Sequence, residues 1–288
     1  MSQKTSSILT NEGHQATLES IQRKYQLDLK GNVKVKSKLF AIAITPSNEK
    51  VFITIKSYEK NEHNEAKFQR AIVSNRWAQK IKGNFMPKVI EFNTFERDNI
   101  LWMTSMSVFA GKLISQANFF EGNDDIVNDQ MIGLLHHSFE VIEQSASGDF
   151  LNPPIVSKII RSTFGHRVIS VAPEWTSAHG DLHWGNILDS GVLVDWDSFS
   201  QKPKGYDAAS IVLFSVSNSK LFERLYRDFF DILQTDSGRV ATLLIAAFIL
   251  NRMPESFKLY EPNIREAVML IVNPKKIRWP KQSDVLIN

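Results

Sequence analysis

Between residues 179 and 197 the chain reads HGDLHWGNILDSGVLVDWD, and three oxygen-bearing side chains in it are spaced to act together. Asp181 and Asn186 lie five residues apart in a segment with neither helical nor strand periodicity, which reads as a structured loop. Ile187–Leu188 and Val192–Val194 are short apolar runs flanking Asp189-Ser190-Gly191, the pattern of a hairpin. Closing that hairpin brings Asn186, at its entry, near Asp195, at its exit. One amide and two carboxylates converging in this way are hard oxygen ligands. They suit magnesium, which keeps several waters and takes one or two protein carboxylates beside substrate phosphates.

Phosphoryl transfer needs such a set. A loop Asp accepts the proton of the attacking hydroxyl, while an Asn five positions later and a further Asp hold metal on the nucleotide phosphates. His179, Asp181 and Asn186 meet the H-x-D spacing with its following Asn. On a strand, Asp195 and Asp197 would share a face, so Asp197 either shares the metal or hydrogen-bonds locally. The same chemistry calls for a strand Lys that contacts the phosphates and a helix Glu that orients it. Lys56 ends the strand-like run VFITIK and Glu65 follows nine residues later, with Lys60 and Glu62 as close competitors.

The segment HGDLHWGN, followed by VLVDWD and GYDAAS, resembles the aminoglycoside phosphotransferase and choline kinase-like family. In letters the resemblance covers about residues 179–210; elsewhere it lies in the order of elements. It implies a two-lobed protein kinase-like α+β fold, with a small β-rich N-lobe and a larger, mainly helical C-lobe. Carried over by position, Asp181 is the catalytic base, and Asn186 and Asp195 are the metal ligands. His179 supports the loop, and Asp207 pins the following helix to it. Leu101–Ser105 falls at the family's hinge strand, whose backbone, including Met103 and Ser105, would take the adenine edge. The implied cofactors are ATP or GTP with Mg2+. The implied partner is a small-molecule hydroxyl acceptor: an aminoglycoside or other antibiotic, an amino alcohol or a sugar. An antibiotic acceptor would mean resistance or self-protection. One departure stands out. The turn that should cover the phosphates, Lys34–Leu39, contains no glycine, the residue that lets backbone approach phosphate closely. Lys36, Ser37 and Lys38 either replace it by charge and hydroxyl contacts or form a solvated turn.

The elements that must position these residues fall into two groups. Periodicity predicts a helix over 15–25, strands over 32–44 and 50–56 joined at Thr45-Pro46-Ser47-Asn48, and a helix over 62–81. That last helix has Ala66, Phe68, Ile72 and Trp77 available for its buried stripe. Strands follow over 88–92 and 99–106. Beyond 107 the pattern turns helical, over 129–145, 154–163, 208–216, 220–235, 239–252 and 261–272. The expected division is a nucleotide-binding lobe over 1–106 and a catalytic, substrate-binding lobe over 107–288.

Composition narrows the alternatives. The chain has 288 residues, 43% of them hydrophobic, so a core can form and intrinsic disorder is excluded. With no cysteine there is no disulfide framework, thiolate zinc site or cysteine nucleophile. The longest apolar run, 240–250, is too short to cross a membrane and reads as a buried helix. Without a signal-like start, the expected location is the cytoplasm. The net charge of +3 divides unevenly. Residues 1–110 hold 17 Lys+Arg against 10 Asp+Glu, a net of +7, which leaves −4 for the rest. A basic first lobe suits polyphosphate, and an acidic second lobe suits a cationic acceptor. No run of basic residues interleaved with aromatics points to nucleic acid. His179 and His183 are four apart, but Gly180 and Gly185 argue against the helix on which a histidine zinc pair usually sits. Trp184 either floors a pocket or packs, and Glu121, Asp124 and Asp125 either solvate a loop or attract a cation. The main rival reading is a non-catalytic nucleotide- or partner-binding protein on the same scaffold. A protein kinase fits less well, because no DFG-like or APE-like segment follows.

Overall fold

The structure is a computed structural model that describes residues 3–35, 37–115, 117–121, 124–148, 153–165, 173–252 and 255–272. It divides into two compact units: residues 1–73 with 86–111, and residues 74–85 with 112–288.

The first unit is built on an antiparallel sheet of order β1-β2-β3-β5-β4. Its strands are β1 (Asp28–Val35), β2 (Lys38–Ile44), β3 (Lys50–Glu59), β4 (Val89–Arg97) and β5 (Ile100–Val108). Side chains alternate between faces with the period of two that a strand imposes. Leu39, Ala41 and Ala43 with Val51, Ile53 and Ile55 face α1 (Gln3–Tyr25), where Leu18, Trp102 and Met106 complete the core. The other face carries Tyr58, Leu101 and Met103 under Phe68, Ala71 and Ile72 of α2 (Glu62–Ala78). Ala66, expected in that stripe, is exposed, and Trp77 is half-buried. The stretch 32–44, expected as one strand, turns back on itself, and Val35 pairs with Lys38. β4 runs on to Arg97, well past the expected end at Phe92, because Asp98 and Asn99 (φ 55° and 60°) form a tight hairpin turn in left-handed conformation.

The second unit is mainly helical. Its helices are α3 (Asp129–Glu143), α4 (Pro153–Phe164), α5 (Tyr206–Leu213), α6 (Ser219–Asp228), α7 (Phe230–Leu233), α8 (Asp236–Arg252) and α9 (Glu261–Val272). α3 starts at Asn128, whose side chain accepts the Met131 N–H, and it buries Ile132, Leu135, Phe139 and Ile142 at helical spacing. α8 packs against α4, α5, α7 and α9, so its apolar run is buried nearly all round. Among the described residues, no helix is long and apolar enough to cross a membrane. The helix expected over 220–235 breaks at Phe229, whose ring packs on His136 and Phe139 of α3.

Two short strands absent from the sequence reading bracket the segment of interest. β6 (Trp175–Ala178) pairs antiparallel with β7 (Ser200–Pro203). The expected hairpin at 187–194 contracts to a single bridge, Ile187 with Leu193. Its return limb is held from outside, where the Leu193 N–H donates to Phe85 O at 2.8 Å.

Candidate active site

β6 delivers the chain into the loop 179–186, and Asp207, in the first turn of α5, fixes the loop's direction. The His179 and Gly180 N–H groups donate to its two carboxylate oxygens at 2.7 and 3.1 Å. A carboxylate in a helix's first turn meets the positive end of the helix dipole. Burial works the other way and pushes this carboxyl up to about 7, against the two backbone donors that favour its charged form. Gly180 has φ +81°, and a Cβ there would fall 2.3 Å from Ser198 O. The turn therefore needs glycine, and the residue after it, Asp181, is exposed.

His179 is fully buried. Its Nε2 lies 2.9 Å from Val194 O, and because a carbonyl only accepts, Nε2 carries the proton. The ring packs 4.5 Å from Trp196. Burial pushes the imidazole down to about 4, so it is neutral at pH 7. Between pH 6.5 and 4 the unfolded chain binds a proton here that the folded chain refuses, so stability falls as pH drops through that window. His179→Gln keeps a donor for Val194 O without the titration. Its urea-unfolding free energy should show a shallower acid dependence than wild type, by about 3 kcal/mol accumulated from pH 6.5 to 4. Asp207 titrates in the opposite sense in both proteins, so it cancels in the difference. Parallel curves would remove His179 as the source.

The Asn186 amide nitrogen donates to the Asp181 carbonyl at 2.8 Å, and the Val194 N–H donates to Asn186 O at 2.9 Å. The first bond commits the NH2 end of a buried amide to the protein. Its oxygen is the end left to meet a cation. The second bond puts Asn186 beside the residue preceding Asp195, as the hairpin pattern predicts. Asp195 holds φ 66° and ψ 59°, a left-handed conformation that costs a non-glycine residue about 1 kcal/mol or more. The strand expected through DWD is absent: Trp196–Ser198 is a 3-10 turn, so Asp195 and Asp197 do not alternate on a strand face. Asp197 accepts from the Asn75 amide of α2 at 2.9 Å, a partner 122 residues earlier rather than a local one. No group of three or more His, Cys, Asp or Glu side chains is placed to hold a metal among the described residues. Asn186 and Asp195 fit magnesium as a partial site, completed by water and phosphate. Trp184 is fully buried with its indole N–H on Ser215 Oγ, so it packs rather than floors a pocket.

In the first unit Lys56 is 7% exposed on the α2 face of β3, directly opposite Met103 on β5. Its competitor Lys60 is exposed and committed to both carboxylate oxygens of Glu96 at 2.9 Å. Glu65 lies in the first turn of α2 and acts electrostatically on Lys60. The backbone role expected of Met103 and Ser105 is corrected. β5 is paired with β3 on one side and β4 on the other through both residues, so their N–H and C=O groups serve the sheet. The last sheet-side bond is Phe109 N–H to Lys50 O, and the next backbone groups are those of Ala110 and Gly111. In the glycine-free turn, Ser37 O accepts the Ser57 N–H at 2.9 Å, and Lys36 lies outside the described residues.

No protein-family model and no curated sequence matches the chain. Solved structures do. A macrolide 2′-phosphotransferase from Brachybacterium faecium superposes with a TM-score of 0.54 at 13% identity, over 92% of this chain and 99% of that one. The chain has the protein kinase-like fold. An amicoumacin kinase solved with AMP-PNP and Ca2+ matches at 0.50 and 10% identity, over 91% and 95% of the two chains. A type I macrolide 2′-phosphotransferase matches at 0.50 and 11% identity, over 89% and 96%. Within this kinase-like fold, sequence reasoning passed over two residues packed beside the 179–198 segment. Asn75 is 122 residues from its partner, and no local pattern marks it. Lys202 does carry a signal, because Ser200 and Lys202 alternate onto one face of β7, but Pro203 masked that strand.

Proposed function

We propose that the chain is a magnesium-dependent phosphotransferase that moves the γ-phosphate of ATP or GTP to a hydroxyl of a small molecule. The observation that carries this reading is the hydrogen bond from the Asn186 amide to the Asp181 backbone carbonyl, which ties the residue bearing the exposed loop carboxylate to a buried amide whose oxygen would meet the metal. Asp181 accepts the hydroxyl proton as the acceptor oxygen bonds to phosphorus. The bond from the γ-phosphorus to the β–γ bridging oxygen breaks, and the nucleoside diphosphate leaves. Asn186 and Asp195 would hold Mg2+, which supplies charge neutralisation on the phosphates. Lys56 binds the phosphates, Glu65 orients it, and the backbone at Ala110–Gly111 takes the adenine edge. Residues 1–106 then serve the nucleotide and 107–288 the acceptor, in the cytoplasm where triphosphate is supplied. Amicoumacin and macrolide kinases share the fold, and this supports an antibiotic or another cationic amino alcohol or sugar as acceptor.

Calorimetric titration with ATP should show binding that needs Mg2+, and Asp195→Asn should weaken it tenfold or more, roughly the loss of one charged ligand. A transfer screen over macrolides, aminoglycosides, amino alcohols and sugars then finds the acceptor. Absence of nucleotide binding sinks the proposal. Magnesium-dependent binding without transfer to any hydroxyl favours the non-catalytic reading.

A further inference from the structure

Beneath the loop that carries Asp181 lies a cation that the reaction as described does not use. Lys202 is 6% exposed, on a β-strand whose neighbours are largely buried. Its ammonium donates to the fully buried Ser200 hydroxyl at 2.5 Å and lies 5.8 Å from the Tyr206 ring centroid. Its Cε sits 3.2 Å from where a Cβ on Gly180 would be. Gly180 is thus held from two sides: its N–H is taken by Asp207, and its α-carbon rests near the Lys202 stem. Burying a lysine costs several kcal/mol unless a counter-charge is near.

We propose that Lys202 is a positioning residue for phosphotransfer, supplying the counter-charge that lets both oxygens of Asp207 accept the His179 and Gly180 N–H groups and so aim Asp181. The electrostatics around Asp207 agree. Glu143 of α3, which accepts the Gly205 N–H, opposes ionisation of Asp207, and Lys202 favours it. His179 is neutral, and Lys204 is paired with Glu174 at 3.1 Å. On α8, which packs against α5, Arg239 is engaged by Asp236 at 3.6 Å. The charged groups of α6 and α7 include Asp228 and Asp231. If Asp207 becomes neutral, one of its oxygens carries a proton and can no longer accept from both amides. The loop then loses one of its two anchors.

The role in catalysis rests on Asp181 being the base; the anchoring itself does not, and it is read separately. Backbone amide NMR shifts of His179 and Gly180 are followed against pH in wild type, Lys202→Met, Lys202→Gln and Lys202→Arg. Gln keeps a donor for Ser200 without the charge. The amide titration midpoint should move up by roughly one unit or more in Met and Gln and stay in place in Arg. Phosphotransfer by the neutral variants should fall about fivefold or more at pH 7, as the ionised fraction does for a one-unit move from about 7, and recover as pH rises, with the loss in kcat rather than nucleotide KM. An unmoved midpoint in both neutral variants overturns the inference, as does failure of both to fold at every pH. A moved midpoint in a wild-type protein that transfers no phosphate leaves the anchoring intact and removes the proposed function instead.

Discussion

Asp181→Ala is expected to lower phosphotransfer by about 10²–10⁴-fold, the usual contribution of a positioned general base, while magnesium-dependent nucleotide binding stays within a few-fold of wild type. The separation follows from which atom of Asp181 does what. The bond from Asn186 is made to the Asp181 carbonyl, which the substitution leaves in place. The anchors of the loop are the His179 and Gly180 amides on Asp207, also untouched. The removed carboxylate is exposed, so no cavity opens. Stability should therefore change by less than about 0.5 kcal/mol, as for an ordinary surface substitution. Asp181→Asn is the stricter version, since it keeps shape and loses only basicity. Single-turnover transfer and calorimetry on the same preparations give both quantities. Undiminished transfer by either variant removes Asp181 from the role of base. Loss of nucleotide binding in step with turnover would make it a metal ligand or a structural residue.

The constellation around Asp181 was legible in sequence because its members are local. Asp181 and Asn186 share one loop, and the Val194 N–H on Asn186 O brings the residue before Asp195 back to it. The sequence put Lys56 ahead of Lys60, but the physical ground for that choice was not legible. It depends on which of two nearby lysines faces the sheet interior, and that is decided by the register of β3 against β5, where Lys56 meets Met103. The same register bears on which backbone is left to meet adenine. The two-residue turn at Asp98–Asn99 extends β4 and keeps β5 paired on both sides up to its last residues, so the free backbone begins after Phe109. A few residues of strand length thus move the proposed adenine-binding backbone from Met103 to Ala110. Asp197 was undecidable for a different reason. Its partner, Asn75, comes from a helix more than a hundred positions earlier, and no spacing rule reaches that far. Lys202 shows the limit from the other side. Lysine in a short polar stretch reads as solvated, and only the pairing of β7 with β6 puts it under the loop.

Gly180→Ala separates two reasons for a glycine and predicts the second-largest loss. At φ +81° an alanine pays about 1–2 kcal/mol for the left-handed conformation. That penalty alone is tolerable, because Asp195 sustains a left-handed φ of 66° nearby. The decisive term is contact. The new Cβ would lie 2.3 Å from Ser198 O, a backbone atom held between the 3-10 turn and β7, and 3.2 Å from Lys202 Cε. The loop cannot yield without disturbing the Gly180–Asp207 bond, whose loss costs about 1 kcal/mol or more. A total near 3 kcal/mol is expected from the sum of these terms. The loop displacement should also cost roughly 100-fold in turnover, as misplacing a catalytic group by about 1 Å can. Gly205→Ala is the control. It has φ +82°, but its Cβ would meet Ile232 Cγ1 at 3.0 Å, a side-chain atom that can move. Denaturant unfolding and single-turnover transfer should find Gly205→Ala destabilised by about 1–2 kcal/mol with most activity retained. Equal losses in the two variants would mean that conformation alone demands glycine at 180, and that the close approach of Ser198 O plays no part in aiming Asp181.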